Sequence, residues 1–145
     1  MSLVAVLQAR FSSSRFPGKV LKLLLGEPML KRQLDRIGRA TCIDRLVVAT
    51  STEESDDPIA SLCDNMDVNC YRGSLDDVLD RMYQAAARAN ADTVMRLTGD
   101  CPLVDPAVLD RLMEYFRTGG YDYASNTIEP TFPDGLDAEV MHFRC

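Results

Sequence analysis

Apolar positions along this chain follow two alternating patterns, short continuous runs and helical stripes. Residues 3–7 (LVAVL) form an unbroken apolar run, which predicts a strand buried on both faces. A polar loop follows, from Gln8 to Lys19. From Pro28 onward, Leu30, Leu34 and Ile37 share one helical face, while Lys31, Arg32 and Arg36 share the other. Arg45 to Thr50 (RLVVAT) reads as a second buried strand. Asp57 as N-cap, with Pro58 at the first helical position, predicts a second helix that buries Ile59, Leu62, Cys63 and Met66. Val68 to Tyr71 reads as a short strand. Ser74 and Asp77 then make a capping-box-like start to a third helix, with Leu75, Val78, Leu79, Met82, Tyr83 and Ala86 along one stripe. Thr93 to Leu97 (TVMRL) is a further strand, ending in Thr98-Gly99-Asp100. Asp105-Pro106 opens a fourth helix with Leu109, Leu112, Met113 and Phe116 inward, and Gly119-Gly120 stops it.

Strand and helix thus alternate four times. The series predicts a three-layer α/β fold: a mostly parallel sheet with helices on both faces and right-handed crossovers. No internal repeat, linker or low-complexity tract divides the chain, so residues 1–145 read as one domain. Ligands of open α/β sheets sit beyond the carboxyl ends of the strands, so segments 8–19, 50–57, 71–74 and 98–102 are expected to converge there. The last residues, AEVMHFRC, read as a strand without a closing turn, and the natural fold is expected to continue past them.

Composition narrows the class. With 145 residues, 46% apolar and 26% charged, the chain is neither disordered nor collagen-like, and it is long enough for a core without staples. No apolar run approaches a membrane span, and MSLVAVLQAR lacks the basic start and cleavage site of a signal peptide. The 5 cysteines are odd in number and scattered, which suits a reducing cytoplasm and carries no zinc-ligand spacing. A net charge of −6 argues against nucleic acid or an anionic membrane as partner. The charge is uneven, however. Arg10, Arg15, Lys19 and Lys22 lie in residues 1–26 without a single acid, although the whole chain holds 16 basic and 22 acidic residues. A basic segment on an acidic protein points to a small, specific anion.

The loop after the first strand, QARFSSSRFPGK, combines small residues, which let backbone approach a ligand, with three cations that can neutralise phosphate oxygens. It is neither a Walker loop nor the Rossmann glycine fingerprint. Its bland alternative is a solvated basic loop. The absence of acids and the position directly after a buried strand favour the anion site. Asp100, a lone carboxylate just past a buried strand and preceded by Thr-Gly, lies where a ligand is expected; its alternative is a turn cap.

The motif QARFSSSRFPGKVL, followed by Leu25-Gly26-Glu27-Pro28-Met29-Leu30, resembles the nucleotide-binding signature of the CMP-sugar cytidylyltransferases, the acylneuraminate and 3-deoxy-manno-octulosonate enzymes among them. The branch named for spore-coat polysaccharide biosynthesis protein F is the most similar. Further matching segments follow in order: Val48-Ala49-Thr50-Ser51 with Asp56-Asp57-Pro58-Ile59; Tyr71-Arg72-Gly73-Ser74 running into Asp77-Val78-Leu79-Asp80-Arg81; Arg96-Leu97-Thr98-Gly99-Asp100-Cys101-Pro102-Leu103; and Ser125-Asn126 with residues 132–140. Ser12 stands where many members carry glycine, and serine fits there if its φ is negative. Members usually run well beyond this length, and their later segments help bind the sugar, complete the metal site and form a homodimer.

The resemblance implies a nucleotide-diphospho-sugar transferase fold and a reaction in which a sugar hydroxyl attacks CTP to give a CMP-sugar and pyrophosphate. It implies that Arg10, Arg15 and Lys19 hold the triphosphate, and that Ser13 and the Ala9 backbone contribute to the nucleotide pocket. It places Arg72 and Ser74 near the base and ribose, and Mg²⁺ on Asp100. Asp137 and Glu139 alternate along a strand pattern and share a side; they are either further metal or sugar ligands or a solvated face. Glu53, Glu54, Asp56 and Asp57 read as helix-start acids. Cys101 has nothing nearby to lower its pKa, and His142, the only histidine, has no assigned partner, which disfavours nucleophilic catalysis. The methionines at 66, 82, 95 and 113 fall on apolar positions. Two other readings stand beside this one. A glycosyltransferase consuming a sugar nucleotide would carry Asp-x-Asp at the strand end, where this chain has Asp100-Cys101-Pro102. A non-catalytic nucleotide-binding or assembly module is supported by the short length of the chain and opposed by the presence of Arg10, Lys19 and Asp100 together.

Overall fold

The structure is a computed structural model describing residues 1–144; Cys145 lies outside the described residues. Six strands form the main sheet in the order β5-β4-β1-β6-β8-β7. The strands β1 (Leu3–Gln8), β4 (Arg45–Ser51), β5 (Asn69–Gly73) and β6 (Thr93–Thr98) run parallel. β8 (Glu139–His142) pairs antiparallel with β6, and β7 (Tyr123–Ser125) pairs antiparallel with β8. The sheet is therefore mostly parallel, as its apolar runs predict, with a reversed strand close to one edge. Leu3 to Leu7 have no exposed surface at all, the mark of a strand covered on both faces.

The two faces are unequal. The helices α1 (Met29–Ile37), α2 (Asp57–Asn65) and α4 (Pro106–Gly119) cover one face, where Leu30, Leu34, Ile37, Ile59, Leu109 and Phe116 join the core with Leu7 and Leu97. On the other face α3 (Val78–Arg88) packs Met82, Ala85 and Ala86 against Val4, Val6 and Val47. Its orientation corrects the sequence reading. Leu79 is 80% and Tyr83 53% exposed, whereas Arg81 is fully buried. The helix presents its alanines to the sheet, because small side chains let it approach closely, and this turns Leu79 and Tyr83 to the margin. Tyr83 stacks there on Phe143, with ring centroids 5.1 Å apart.

Two caps also differ. Asp56, not Asp57, is the N-cap residue of α2, and Asp57 and Pro58 occupy the first helical positions. A short hairpin of β2 (Leu23–Leu24) and β3 (Glu27–Pro28) interrupts the segment before α1, turning at Leu25 and Gly26, both with positive φ. The N-cap of α3 is Asp77, which accepts from the Asp80 amide, three residues after Ser74, whose hydroxyl accepts from the Asp77 amide ahead of the helix. α4 starts as its sequence predicts, Asp105 accepting from the Ala107 amide.

From β1 the chain builds outward through β4 and β5, then returns to place β6 on the other side of β1. The switch point therefore lies between the carboxyl ends of β1 and β6. In open α/β sheets that crevice is where ligands bind.

Candidate functional site

Neighbouring strand ends in a parallel sheet diverge only if their loops leave in different directions. At the switch point the loops after β1 and β6 do so, yet they start in contact. The Gly99 amide donates to the Gln8 carbonyl at 2.7 Å, and a Cβ on Gly99 would stand 2.8 Å from that same oxygen. Only glycine fits there. Gly18 closes the loop after β1 in a similar way: it has φ +70°, its amide donates to the Phe11 carbonyl at 2.8 Å, and the Phe11 ring packs on its bare face.

Between these loops lies a cavity of about 540 Å³, whose walls include Ala9, Arg10, Ser13, Arg15, Lys19 and Asp100, joined by Asp137. The structure thus brings together residues 9–19, 99–101 and 134–137 from three separate parts of the chain. Arg10 and Arg15 are exposed and form no salt bridge among the described residues. Lys19 does: its Nζ lies 3.1 Å from Asp100 Oδ2. Burial works to raise the Asp100 pKa, but hydrogen bonds from Lys19 and Thr98, with the Lys19 charge, outweigh it and hold the carboxyl below its usual range. Asp100 is therefore ionised at neutral pH.

The turn that carries Asp100 is fixed from below by a residue without a role in the sequence reading. Gln33, on α1 and 1% exposed, donates from Nε2 to the Thr98 carbonyl at 2.7 Å and accepts at Oε1 from the Cys101 amide at 3.3 Å. Arg36, one helical turn on, donates to the Val104 carbonyl at 2.7 Å. A glutamine inside an apolar stripe is the signal that could have marked it, since a buried amide needs partners. Cys101 is buried and its thiol pushed up, chiefly by that burial, so it is a packing residue.

The basic loop is less open than a simple backbone nest. Its Phe11 amide donates to Asp56 Oδ1 at 2.6 Å, while Phe16 and Gly18 are bonded within the loop. The amides of residues 12–15 have no acceptor among the described residues. Ser12 is not among the non-glycine residues with positive φ, which are Leu25, Asp67 and Asn90, so serine is accommodated.

Arg72, Ser74 and Glu139 lie outside the cavity walls. Arg72 donates to the Ser51 and Glu53 carbonyls at 2.8 and 2.9 Å and pairs with Asp57 at 2.6 Å. The Ser74 hydroxyl accepts from the Asp77 amide, 3.1 Å away. Asp137 and Glu139 do not share one strand face as the alternation predicts: Asp137 precedes β8, whereas Glu139 lies within it and pairs with Arg96 at 2.8 Å. His142 packs its ring edge-on to Phe116, a core contact.

Asp56 is the larger omission. The sequence pattern makes it one of several helix-start acids, yet it is fully buried and accepts from the Ser51 amide at 3.1 Å, the Ser51 hydroxyl and the Phe11 amide. It ties the end of β4 to the basic loop. Arg81 is buried nearby and donates to the Ser74 and Leu75 carbonyls. Burial lowers its pKa, and the Asp56 charge opposes that while the Arg10 charge adds to it.

A concavity of about 610 Å³ between α4 and β7 is lined by Tyr115, Tyr121, Tyr123, Ile128 and Phe132. Its lining carries one cation and one carboxylate, Arg111 and Glu129, against three of each at the switch point, so the polar cavity there is the candidate functional site.

Fold and site together define an open α/β sheet protein with a cavity of clustered charges at its topological switch. The chain belongs to the cytidylyltransferase family, whose pattern matches residues 4–135. It is 35% identical over 141 residues to the spore coat polysaccharide biosynthesis protein SpsF of Bacillus subtilis, covering 94% of this chain and 58% of that protein. It is 37% identical over 110 residues to the 3-deoxy-manno-octulosonate cytidylyltransferase of Syntrophotalea carbinolica, covering 76% of this chain and 43% of that one. Among solved structures, a cytidylyltransferase from Leptospira borgpetersenii superposes with a TM-score of 0.95 at 32% identity, covering 99% of this chain and 61% of that chain. The chain thus spans about half the length of the curated relatives it matches. The fold is that of the Rossmann-like nucleotide-sugar transferases. Among the described residues, no helix is long and apolar enough to cross a membrane.

Proposed function

We propose that this chain is the nucleotide-binding part of a cytidylyltransferase that activates a sugar with CTP, giving a CMP-sugar and pyrophosphate for surface polysaccharide synthesis in the cytoplasm. The observation that carries the reading is the convergence of Arg10, Arg15, Lys19, Asp100 and Asp137 on one cavity at the β1/β6 switch point. The same walls carry three carboxylates, Asp100, Asp134 and Asp137, but only Lys19 is paired with one of them, which leaves Arg10 and Arg15 available to a polyphosphate.

In this reading a sugar hydroxyl oxygen attacks the α-phosphorus of CTP, and the bond from that phosphorus to the bridging oxygen of the β-phosphate breaks. Arg10, Arg15 and Lys19 hold the β- and γ-phosphates and stabilise the charge that the departing pyrophosphate gains. Ser13, the Ala9 backbone and the free amides of residues 12–15 orient the triphosphate, so the chemistry depends on placement and charge. Arg72 and Ser74, at the same sheet edge, border the base and ribose; the Arg72 bonds to Ser51 and Glu53 hold that wall in place. Asp100 and Asp137 fit Mg²⁺: they are hard oxygen donors in one cavity, Asp100 is held ionised, and the triphosphate oxygens supply the further ligands that two carboxylates do not. A Mg²⁺ held by Asp100 and Asp137 would supply neutralisation of the phosphate charge. Against the glycosyltransferase reading, an Asp-x-Asp motif containing Asp100 would need its other carboxylate at position 98 or 102, where this chain has Thr98 and Pro102.

The test is calorimetric titration with CTP, UTP, ATP and GTP in the presence of Mg²⁺, followed by pyrophosphate release against a panel of sugars. CTP should bind tightest, since each polar group that a wrong base leaves unpaired costs about 1–3 kcal/mol. Equal affinities, or ATP bound tightest, would overturn the assignment.

A further inference from the structure

The contact between Lys19 and Asp100 sets two groups against each other that the proposed reaction needs apart. Lys19 is to hold phosphate and Asp100 a divalent cation, yet in the structure they hold one another at 3.1 Å. The ammonium donates to Oδ2, one of the two oxygens that a cation would use. Arg10 and Arg15, which line the same cavity, form no such pair among the described residues. Of the cavity's three cations, one is thus engaged on the carboxylate and two are available to an incoming anion.

We propose that Lys19 acts as a tethered stand-in cation that holds the Asp100 position closed to divalent metal until a polyphosphate draws it away. The inference rests on the reading of Asp100 as a metal ligand and adds a loading order to it. Arg10 and Arg15 make the first contacts with the triphosphate. Lys19 then exchanges one carboxylate for phosphate oxygens carrying several negative charges, and Asp100 is freed as the metal arrives with the nucleotide. The exchange is easy because the pair is accessible: the side chains are 36% and 48% exposed. An exposed ion pair is weak and readily replaced. The arrangement also solves an electrostatic difficulty, because a bare carboxylate facing the cavity would repel an approaching triphosphate. Nucleotide and metal binding are then positively coupled, each strengthening the other by the same factor.

The coupling is read without turnover by titrating the nucleotide-free chain with Mn²⁺ and following the free-ion signal by electron paramagnetic resonance. Lys19→Met should bind Mn²⁺ at least about tenfold more tightly than wild type, because a unit positive charge within a few ångströms of a divalent ion is removed. Lys19→Arg keeps the charge and should stay as weak as wild type, which separates blocking from a loosened loop. The gain should vanish in the Lys19→Met/Asp100→Asn double variant. If Lys19→Met gains nothing while Asp100→Asn still weakens Mg²⁺-dependent CTP binding, the stand-in role is wrong and the metal reading survives. If the double variant keeps the gain, the metal binds elsewhere and both are wrong.

Discussion

Two regions of the same sheet edge hold charged residues and behave in opposite ways. At the ends of β1 and β6, Arg10, Arg15, Lys19, Asp100 and Asp137 face a cavity, and the only salt bridge there among the described residues is the exposed Lys19–Asp100 pair. At the ends of β4 and β5, Arg72, Arg81 and Asp56 are turned inward and bound to backbone: Arg72 to Ser51 and Glu53, Arg81 to Ser74 and Leu75, and Asp56 to Ser51 and Phe11. The first region leaves its charges facing a cavity, with one exposed ion pair among them. The second has used its charges to hold three loops in register. A charge at a strand end is thus no sign of a ligand contact until its partners are known. Buried charges must be matched internally, while exposed ones stay available.

The sharpest break of this contrast is Asp56→Ala. It removes the acceptor of the Ser51 amide, the Ser51 hydroxyl and the Phe11 amide, and leaves buried Arg81 without its nearby opposite charge. Stability should fall by about 3–5 kcal/mol, the cost of stranding buried polar and charged groups. Urea unfolding measures it. A loss below about 1 kcal/mol would show that the second region is not a structural lock.

Asp100→Asn belongs to the other region and should do the reverse. Thermal stability should barely change, since the side chain is 48% exposed and packs on no core. In an enzyme turning over CTP, kcat/KM should drop by at least about a hundredfold, roughly 2.7 kcal/mol of transition-state stabilisation. Metal-free CTP binding should persist or tighten, because a carboxylate facing the triphosphate has gone. Unfolding, or full Mg²⁺-dependent turnover, would make Asp100 a turn residue.

Arg10→Ala and Arg15→Ala should weaken CTP far more than cytidine, by about 1.5–3 kcal/mol each, with wild-type affinity falling as salt rises. Unchanged CTP binding would reduce the loop to a solvated basic face.

The same contrast explains what could be read from the sequence. β1, α1 and α4 were legible because burial there follows a simple period: Leu3 to Leu7 are covered on both faces, and Leu109, Leu112, Met113 and Phe116 all point inward. The basic loop and Asp100 were legible because their side chains project from strand ends and remain free of the fold. Asp56 and Arg81 were not. A periodic reading sends charges outward, and it cannot see that the Ser51, Phe11 and Ser74 backbone groups enclose them. For the same reason α3 was rotated in the reading, with Leu79 drawn inward in the place of Arg81. The β7–β8 pair depends on antiparallel contacts made far along the chain, which no local pattern contains.

The smallest effect should come from Asp110→Asn, a carboxylate used for structure but left near the surface, between the two extremes. One Asp110 oxygen accepts from the Thr41 amide at 3.1 Å and hydroxyl at 2.9 Å, and the other from the Cys42 amide at 2.8 Å, joining α4 to the turn before β4. Burial opposes its ionisation, but the bonds from Cys42 and Thr41 prevail and its pKa lies below the usual carboxylate value. The sign follows from linkage. A carboxyl whose pKa is depressed by folding stabilises above its unfolded pKa, and that stabilisation disappears as pH falls through the folded value. Asparagine keeps one acceptor oxygen and no charge, so the variant should be about 1 kcal/mol less stable at pH 7. The gap from wild type should narrow below about pH 4 as the wild-type carboxyl protonates. The neighbouring Cys42 thiol supplies a second reading of the same contact. Burial first, and then Asp110, push its pKa up to about 12, so it should resist thiol reagents at pH 8. Losing the Asp110 charge should make it more reactive. A stability gap that does not change between pH 7 and pH 3, with Cys42 equally inert in both proteins, would show that the Asp110 charge does nothing beyond filling its place in the turn.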